Sequence, residues 1–266
     1  MSAADEVPQP LPDAHVEAVR SDYNQRVGQW QTIYAGQSFH DHTIQQRLIR
    51  TLALVDAHGP GTGGALDVGC GAGQLALELA ERGYGVAAVD IAEGMVEATT
   101  ERLTAAGHPG DVRLADVTDL PFATGSFQWV TALGVIEYLT DTTLALAELS
   151  RVLAPGGRLV VTTPNPVRLS FLADPIQLAR GFFGPPTRGY PRRYSHVWRL
   201  RREVRAAGLA IEQVQGHGIG AWTVAGRPVL SEERSIRIGM HLEPVLPKSV
   251  AAVLGANLIA LARKPF

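Results

Sequence analysis

The stretch Ala65-Leu66-Asp67-Val68-Gly69-Cys70-Gly71-Ala72-Gly73-Gln74 decides the fold. An apolar run meets three glycines in five residues, and the helical pattern Gln74-Leu75-Ala76-Leu77-Glu78-Leu79 follows. That order spells a strand, a tight turn and a helix N-terminus. Glycines in the turn let a ligand approach the backbone, because no Cβ stands in the way. The unpaired N–H groups of the first helical turn attract negative or electron-rich atoms. The stretch therefore reads as a nucleotide-type cofactor site.

Upstream lie two amphipathic helices. After a capping residue at Asp13, Val16, Val19, Tyr23, Val27, Trp30 and Ile33 recur every three or four residues. Ile44, Leu48, Thr51, Leu52 and Val55 mark the second helix. They serve either as packing on the sheet edge or as a cover over the cofactor, with Tyr23 and Tyr34 turned inward, or as both. Residues 1–12, with three prolines and few apolar anchors, read as a mobile tail. This divides the chain into tail, helical cover (13–58) and main domain (59–266).

Downstream, strand and helix patterns alternate. Strands are expected at about 64–69, 86–90, 111–115, 127–133, 158–163, 209–214 and 253–262. Helices are expected from Gln74 to about Arg82, ended by Gly83, and at about 93–106, 141–153 and 197–207. Strands this apolar, separated by helices, belong to a sheet buried on both faces. The fold class is α/β, with a Rossmann-like, seven-stranded, mostly parallel sheet. Two irregular insertions, about 164–195 and 216–248, follow strands five and six. They are long for plain connections and read as a substrate lid.

The totals narrow the class. The chain has 266 residues, 45% hydrophobic and 19% charged, with a formal net charge of −2. Nothing there draws it to nucleic acid. Cys70 is the single cysteine, so no internal disulfide forms, which fits a reducing compartment. The first residues lack a signal-peptide pattern, and no apolar run reaches the roughly 18 residues of a membrane span. A cytoplasmic protein is expected, as a monomer or homodimer, with no metal.

A glycine turn followed by an acid after strand two also occurs in Rossmann dehydrogenases. Asp90 is that acid. It suits a ribose diol first, with the N-cap of the helix beginning near Glu93 as the alternative. The joint pattern decides. Asp67-Val68-Gly69-Cys70-Gly71-Ala72-Gly73 resembles the D-x-G-x-G-x-G signature of class I S-adenosylmethionine-dependent methyltransferases. Val89 to Met95, Asp116-Val117-Thr118-Asp119-Leu120-Pro121-Phe122, Ser126-Phe127 and Leu149 to Gly157 resemble four further segments of that family, in order. The likeness is to its methyltransferase-11 and ubiquinone-biosynthesis type. It covers about 65–163 well and the insertions poorly.

The resemblance implies S-adenosyl-L-methionine as cofactor. Asp67 and the backbone of Gly69, Cys70, Gly71 and Gly73 would hold its methionine portion. Asp90 would hold the ribose and Ile91 would lie against the adenine. Asp116 and the Val117 N–H would meet the adenine edge. Leu133 and Gly134 would line the pocket near the sulfonium. A sulfonium cofactor has no phosphates, and the turn has no lysine. Cys70 reads as small-residue packing rather than as a reactive thiol.

Ubiquinone-forming relatives carry Glu-His after strand four, where this chain has Glu137-Tyr138. The run Tyr23…Trp30…Ile33-Tyr34 resembles a segment of magnesium-protoporphyrin methyltransferases, which would set Tyr34 near the cofactor carboxylate and the acceptor. Candidate bases are His217, His196, Tyr138, Tyr34 and, behind them, His241. His217 sits at the C-terminal end of a strand, where parallel-sheet enzymes place ligand groups. Phe171, Phe182, Phe183, Tyr190, Tyr194 and Trp222 suggest an aromatic or apolar small-molecule acceptor. Arg188, Arg192 and Arg193 suit an acidic group on it, whereas Arg201, Arg202 and Arg205 read as a solvated helix face.

The expected activity is methyl transfer to a small molecule, at oxygen, on a specialised metabolite. The alternatives are C- or N-transfer, a quinone or tetrapyrrole acceptor, a cofactor-binding regulatory protein without catalysis, and a nicotinamide dehydrogenase.

Overall fold

A computed structural model describes residues 14–59, 63–166, 190, 192–220, 223–224 and 227–266. The 1–12 tail, Asp13, most of the first insertion and Trp222 lie outside the described residues, and with them Phe171, Phe182, Phe183 and Arg188.

The sheet has seven strands in the order β3-β2-β1-β4-β5-β9-β6. These are β1 (Gly64–Val68), β2 (Gly85–Asp90), β3 (Asp111–Leu114), β4 (Phe127–Ala132), β5 (Leu153–Pro164), β6 (Ala210–His217) and β9 (Asn257–Arg263). A two-residue pair, β7 (Thr223–Val224) with β8 (Arg227–Pro228), stands apart. The strands from β3 to β5 pair in parallel, and β9 runs antiparallel to β5 and β6. Strand order reverses at β1, so the crevice beyond the ends of β1 and β4 is where such a sheet takes a ligand.

Both faces are covered. Helix α3 (Phe39–Asp56) lays Leu48, Leu52 and Val55 on Ala65, Trp129, Val160 and Ile259, beside α4 (Gln74–Glu81). Helix α5 (Glu93–Ala105) meets α4 through Leu103, Ala76 and Ala80. On the opposite face, α6 (Thr143–Val152) and α7 (Val197–Ala206) bury Leu146, Leu149, Leu200 and Val204 against Val130, Leu159 and Leu258. The start of α3 is set by a reciprocal cap. Ser38 Oγ accepts from Asp41 N at 3.1 Å, and Asp41 Oδ2 accepts from Ser38 N at 3.0 Å.

Several boundaries differ from the sequence reading: β5 begins at Leu153 rather than at about 158, and β6 runs to His217 rather than to about 214. The first helix is broken into α1 (Ala14–Gln25), α2 (Val27–Thr32) and a 3-10 turn, Ile33–Ala35. Arg26 leaves the helical region at φ −112° and ψ 12°, and the bend lets Tyr23 stack on Trp30 with ring centroids 5.8 Å apart. The second insertion holds regular structure, α8 (Glu232–Leu242), with Ser231 Oγ accepting from Arg234 N at 3.4 Å. The last strand begins later than Val253, because Lys248–Leu254 forms a helix, α9. A short apolar run satisfies either period. Here α9 lies so close on β6 that a Cβ on Gly216 would sit 1.8 Å from the Ala251 carbonyl oxygen.

Candidate active site

The glycine turn is tied to the neighbouring strand before any ligand arrives. Gly69 N and Cys70 N donate to the Val89 carbonyl at 2.8 and 3.0 Å. Gly69, Gly71 and Gly73 all have positive φ, at 68°, 55° and 78°. Their surroundings differ. A Cβ on Gly69 would meet Val135 Cγ2 at 2.4 Å, and one on Gly73 would meet Thr99 Cα at 2.9 Å. A Cβ on Gly71 would have nothing within 4 Å. Two of the glycines are thus required by packing, while the third faces open space.

Three carboxylates end or follow three adjacent strands. Asp67 in β1 accepts from Thr131 Oγ1 of β4 at 2.7 Å. Burial raises its carboxyl to about 7, against the pull of Thr131 and Arg47. Asp90 closes β2. Its Oδ2 accepts from Gly71 N at 2.9 Å and its Oδ1 from Ala92 N at 3.0 Å, so it holds the turn and the start of α5 together. Burial raises its carboxyl as well, partly offset by those two N–H groups. Each carboxylate oxygen keeps a second lone pair for a ligand hydroxyl. Asp116 Oδ1 accepts from Thr118 N and Oγ1, at 2.8 and 2.7 Å.

These groups line one cleft of about 1050 Å³, its open mouth included. Asp67, Gly69, Cys70, Gly71, Asp90, Ile91, Asp116, Val117, Leu133 and Gly134 all lie on its wall. Gly73 does not, and its neighbours Ala72 and Gln74 do. The opposite wall comes from α1, α2 and the segments after them, through Val16, Val19, Tyr23, Trp30 and Tyr34, and from Tyr138 after β4. The cover is anchored at several points. Arg20 Nε donates to Ile91 O at 3.1 Å, Gly94 N donates to Asn24 Oδ1 at 3.0 Å, and Tyr190 Oη donates to Asp22 Oδ2 at 2.7 Å. Tyr138 packs edge-on against both Tyr23 and Tyr190, with centroids 5.7 and 5.8 Å away. So α3 packs on the sheet while α1 and α2 cover the cleft.

The histidines expected as bases lie elsewhere. His217 is fully enclosed at the end of β6, outside the cleft lining, and burial followed by Arg50 pulls its pKa down to about 3. His196 is the N-cap of α7, its Nδ1 accepting from Arg199 N at 3.1 Å. His241 is on α8, bonded to the Arg237 carbonyl at 2.7 Å. Tyr34 and Tyr138 are in the cleft. Arg192 and Arg193 are engaged within the protein. Arg192 pairs with the buried Glu137 at 2.7 Å, and Arg193 pairs with Glu203. The Cys70 thiol touches Thr99 Oγ1 at 3.3 Å, and burial pushes its pKa well up, as for a packing thiol.

The sequence reading missed Arg47. It lines the cleft beside Tyr34 and Asp67, and its Nη1 lies where a Gly134 Cβ would come within 2.4 Å. On a helix whose other face is apolar, an arginine reads as solvated surface, and no local motif marks it.

A mostly parallel sheet with a glycine turn after β1 and acids at or just past the C-terminal ends of β1, β2 and β3 defines a doubly wound cofactor-binding domain. Residues 66–161 match the methyltransferase-domain family, and the chain carries a class I S-adenosylmethionine-dependent methyltransferase domain. The ubiquinone biosynthesis O-methyltransferase of Xanthomonas euvesicatoria pv. vesicatoria is 30% identical over 161 residues, 59% of this chain and 66% of the relative. The matched regions cover from 27% to 66% of the curated relatives' own lengths. Magnesium protoporphyrin IX methyltransferase from Synechocystis PCC 6803, with bound S-adenosylhomocysteine, shares the fold at TM-score 0.63 and 20% identity, over 94% of this chain and 99% of that one. The [4+2]-cyclase SpnF shares it at TM-score 0.64 and 20% identity, over 96% and 98%. Among the described residues, no helix is long and apolar enough to cross a membrane.

Proposed function

We propose that the chain transfers the methyl group of S-adenosylmethionine to an oxygen of a small-molecule specialised metabolite. One observation carries this reading. A single cleft joins the cofactor-type wall, Asp67, Gly71, Asp90 and Asp116, to an aromatic wall of Tyr23, Trp30, Tyr34 and Tyr138. The first wall suits an amino acid, a ribose and an adenine in sequence. The second suits a flat or apolar acceptor laid over the sulfonium.

In this reading Asp67 receives the cofactor ammonium and Arg47 its carboxylate. Asp90 receives the ribose hydroxyls, Ile91 packs on the adenine, and Asp116 with Val117 N meets the adenine edge. The protein's work is alignment, since the methyl carbon is already activated by the sulfonium. Transfer at oxygen is supported by a relative named for O-methylation. A cytoplasmic monomer or homodimer acting without nucleic acid belongs to the same proposal.

Calorimetry with S-adenosylmethionine and with NAD tests the cofactor. Binding of the first alone is expected, and a preference for NAD would overturn the reading. A second reading is favoured by the cyclase among the structural neighbours. The domain would then bind the cofactor without spending its methyl group. Accumulation of S-adenosylhomocysteine in the presence of acceptor separates the two.

A further inference from the structure

The aromatic side of the cleft carries proton donors. Tyr23 and Tyr138 line it edge to face, with ring centroids 5.7 Å apart. The Tyr23 phenol is pushed well above its ordinary value by burial, then by Tyr138, to which it donates a hydrogen bond, and by Glu137, and burial raises Tyr34 as well. A phenol that keeps its proton donates a hydrogen bond and takes no proton from a substrate.

Among the described residues, the groups able to take a proton are held by protein donors on the cofactor wall or lie off the cleft. Asp67, Asp90 and Asp116 each already accept a hydrogen bond from the protein, and they stand on the cofactor wall. Glu137, beside Tyr138, is 2% exposed, pairs with Arg192 at 2.7 Å and lies off the cleft wall. All eight histidines fall among the described residues, and none lines the cleft. His15 comes nearest along the chain to that wall, and its Nε2 is on the Tyr138 carbonyl at 2.5 Å.

We propose that the acceptor arrives with its nucleophile already formed: it is an oxygen acid ionised near neutral pH, such as a carboxylate or an acidic enol or phenol, which Tyr138, backed by the Tyr23 ring, orients by donating a hydrogen bond. This rests on the methyl-transfer reading of the cleft and adds the chemical class of the acceptor. The balance closes without a base. A lone pair of the acceptor oxyanion forms the new O–CH₃ bond, the S–CH₃ bond breaks, and its electron pair returns to sulfur. The anion and the sulfonium become a neutral ester or ether and a neutral thioether. No proton is taken up or released in that step. Donors to the oxyanion must hold it in line without quenching it, which suits weakly acidic phenols better than a cationic side chain in contact.

The test uses the full chain, methyl-tritiated S-adenosylmethionine and a small-molecule extract of the source cells. An anion exchanger at pH 7 splits the extract into retained and unretained fractions. Cofactor binding is first established by calorimetry, so that a failure of the cofactor reading is seen separately. Label is expected to enter the retained fraction only, in a product with one negative charge fewer than its precursor. With that acceptor purified, kcat/KM should rise with pH to a plateau at the acceptor's own pKa. Tyr138→Phe should lower kcat/KM about tenfold without moving that profile. His196→Asn should leave rate and profile unchanged. Label entering the unretained fraction would overturn the proposal, as would a limb of the profile, measured at saturating S-adenosylmethionine, that a protein variant removes. No label in either fraction, with cofactor bound, would overturn it together with the transfer reading.

Discussion

Asp67 and Thr131 are direct partners across the β1–β4 ladder, and the threonine hydroxyl donates to the carboxylate at 2.7 Å, both residues being buried and Asp67 lining the cleft. That single donor does not repay the burial of a charge. The carboxyl therefore titrates near 7 instead of near 3.8.

The sign of the consequence follows from that rise. With the folded value above the unfolded one, the stabilising contribution of Asp67 is full below about pH 3.8 and is lost as pH rises through about 7. In the proposed reading the cofactor ammonium meets this carboxyl and favours its ionised form. S-adenosylmethionine affinity should thus rise about tenfold from about pH 6 to about pH 8, with a proton released on binding. Calorimetry in buffers of different ionisation enthalpy measures both. Asp67→Asn keeps an acceptor for Thr131 and should flatten the dependence. A wild-type affinity already independent of pH would remove Asp67 from the ammonium site.

Asp90 holds Gly71 N and Ala92 N, and in the proposed reading it also takes the ribose. Asp90→Ala should raise the cofactor Kd roughly 10- to 150-fold, since hydrogen bonds to a charged group are worth about 1.5–3 kcal/mol. It should also loosen the turn, visible as faster amide exchange at Gly71 and Ala92. An unchanged affinity would leave Asp90 as a helix cap alone.

The sheet was legible because its strands are short apolar runs and its turns carry glycine. Asp67, Asp90 and Asp116 were legible because each follows such a run. What could not be read was long-range. Arg47 reaches the cleft only because α3 packs on the sheet beside β1, which no local pattern states. His217 stood at the right end of the right strand. Its surroundings, with Arg50 beside it and Gly255 packed on its backbone, turned it into a buried imidazole. The α9 helix was hidden in an apolar run too short to show its period.

Gly71 and Gly73 should fail in different ways. Gly71→Ala puts its methyl into the cleft, at a cost of about 1–2 kcal/mol for the left-handed backbone and no clash. Melting should fall by only about 2–8 °C while cofactor affinity drops at least about tenfold. Gly73→Ala meets Thr99 Cα at 2.9 Å, which is backbone and does not yield, so it adds about 1–3 kcal/mol of overpacking to the same strain. Thermal unfolding with and without S-adenosylmethionine separates the two. Equal melting temperatures would show that the turn tolerates both.

Arg47 yields the prediction that sequence alone did not reach. Its guanidinium lies against Gly134, next to Tyr34 and within reach of the Asp67 field. If Arg47 holds the cofactor carboxylate, Arg47→Met removes a charge-assisted pair and keeps most of the side-chain volume. The Kd for S-adenosylmethionine should then rise roughly 10- to 150-fold, as expected for losing about 1.5–3 kcal/mol. Methylthioadenosine carries the adenosine and the thioether without the amino-acid end, so its affinity should be unchanged. A parallel loss for both ligands would show that Arg47 shapes the cleft through Tyr34 and Gly134 instead, because only contact with the carboxylate distinguishes the two molecules.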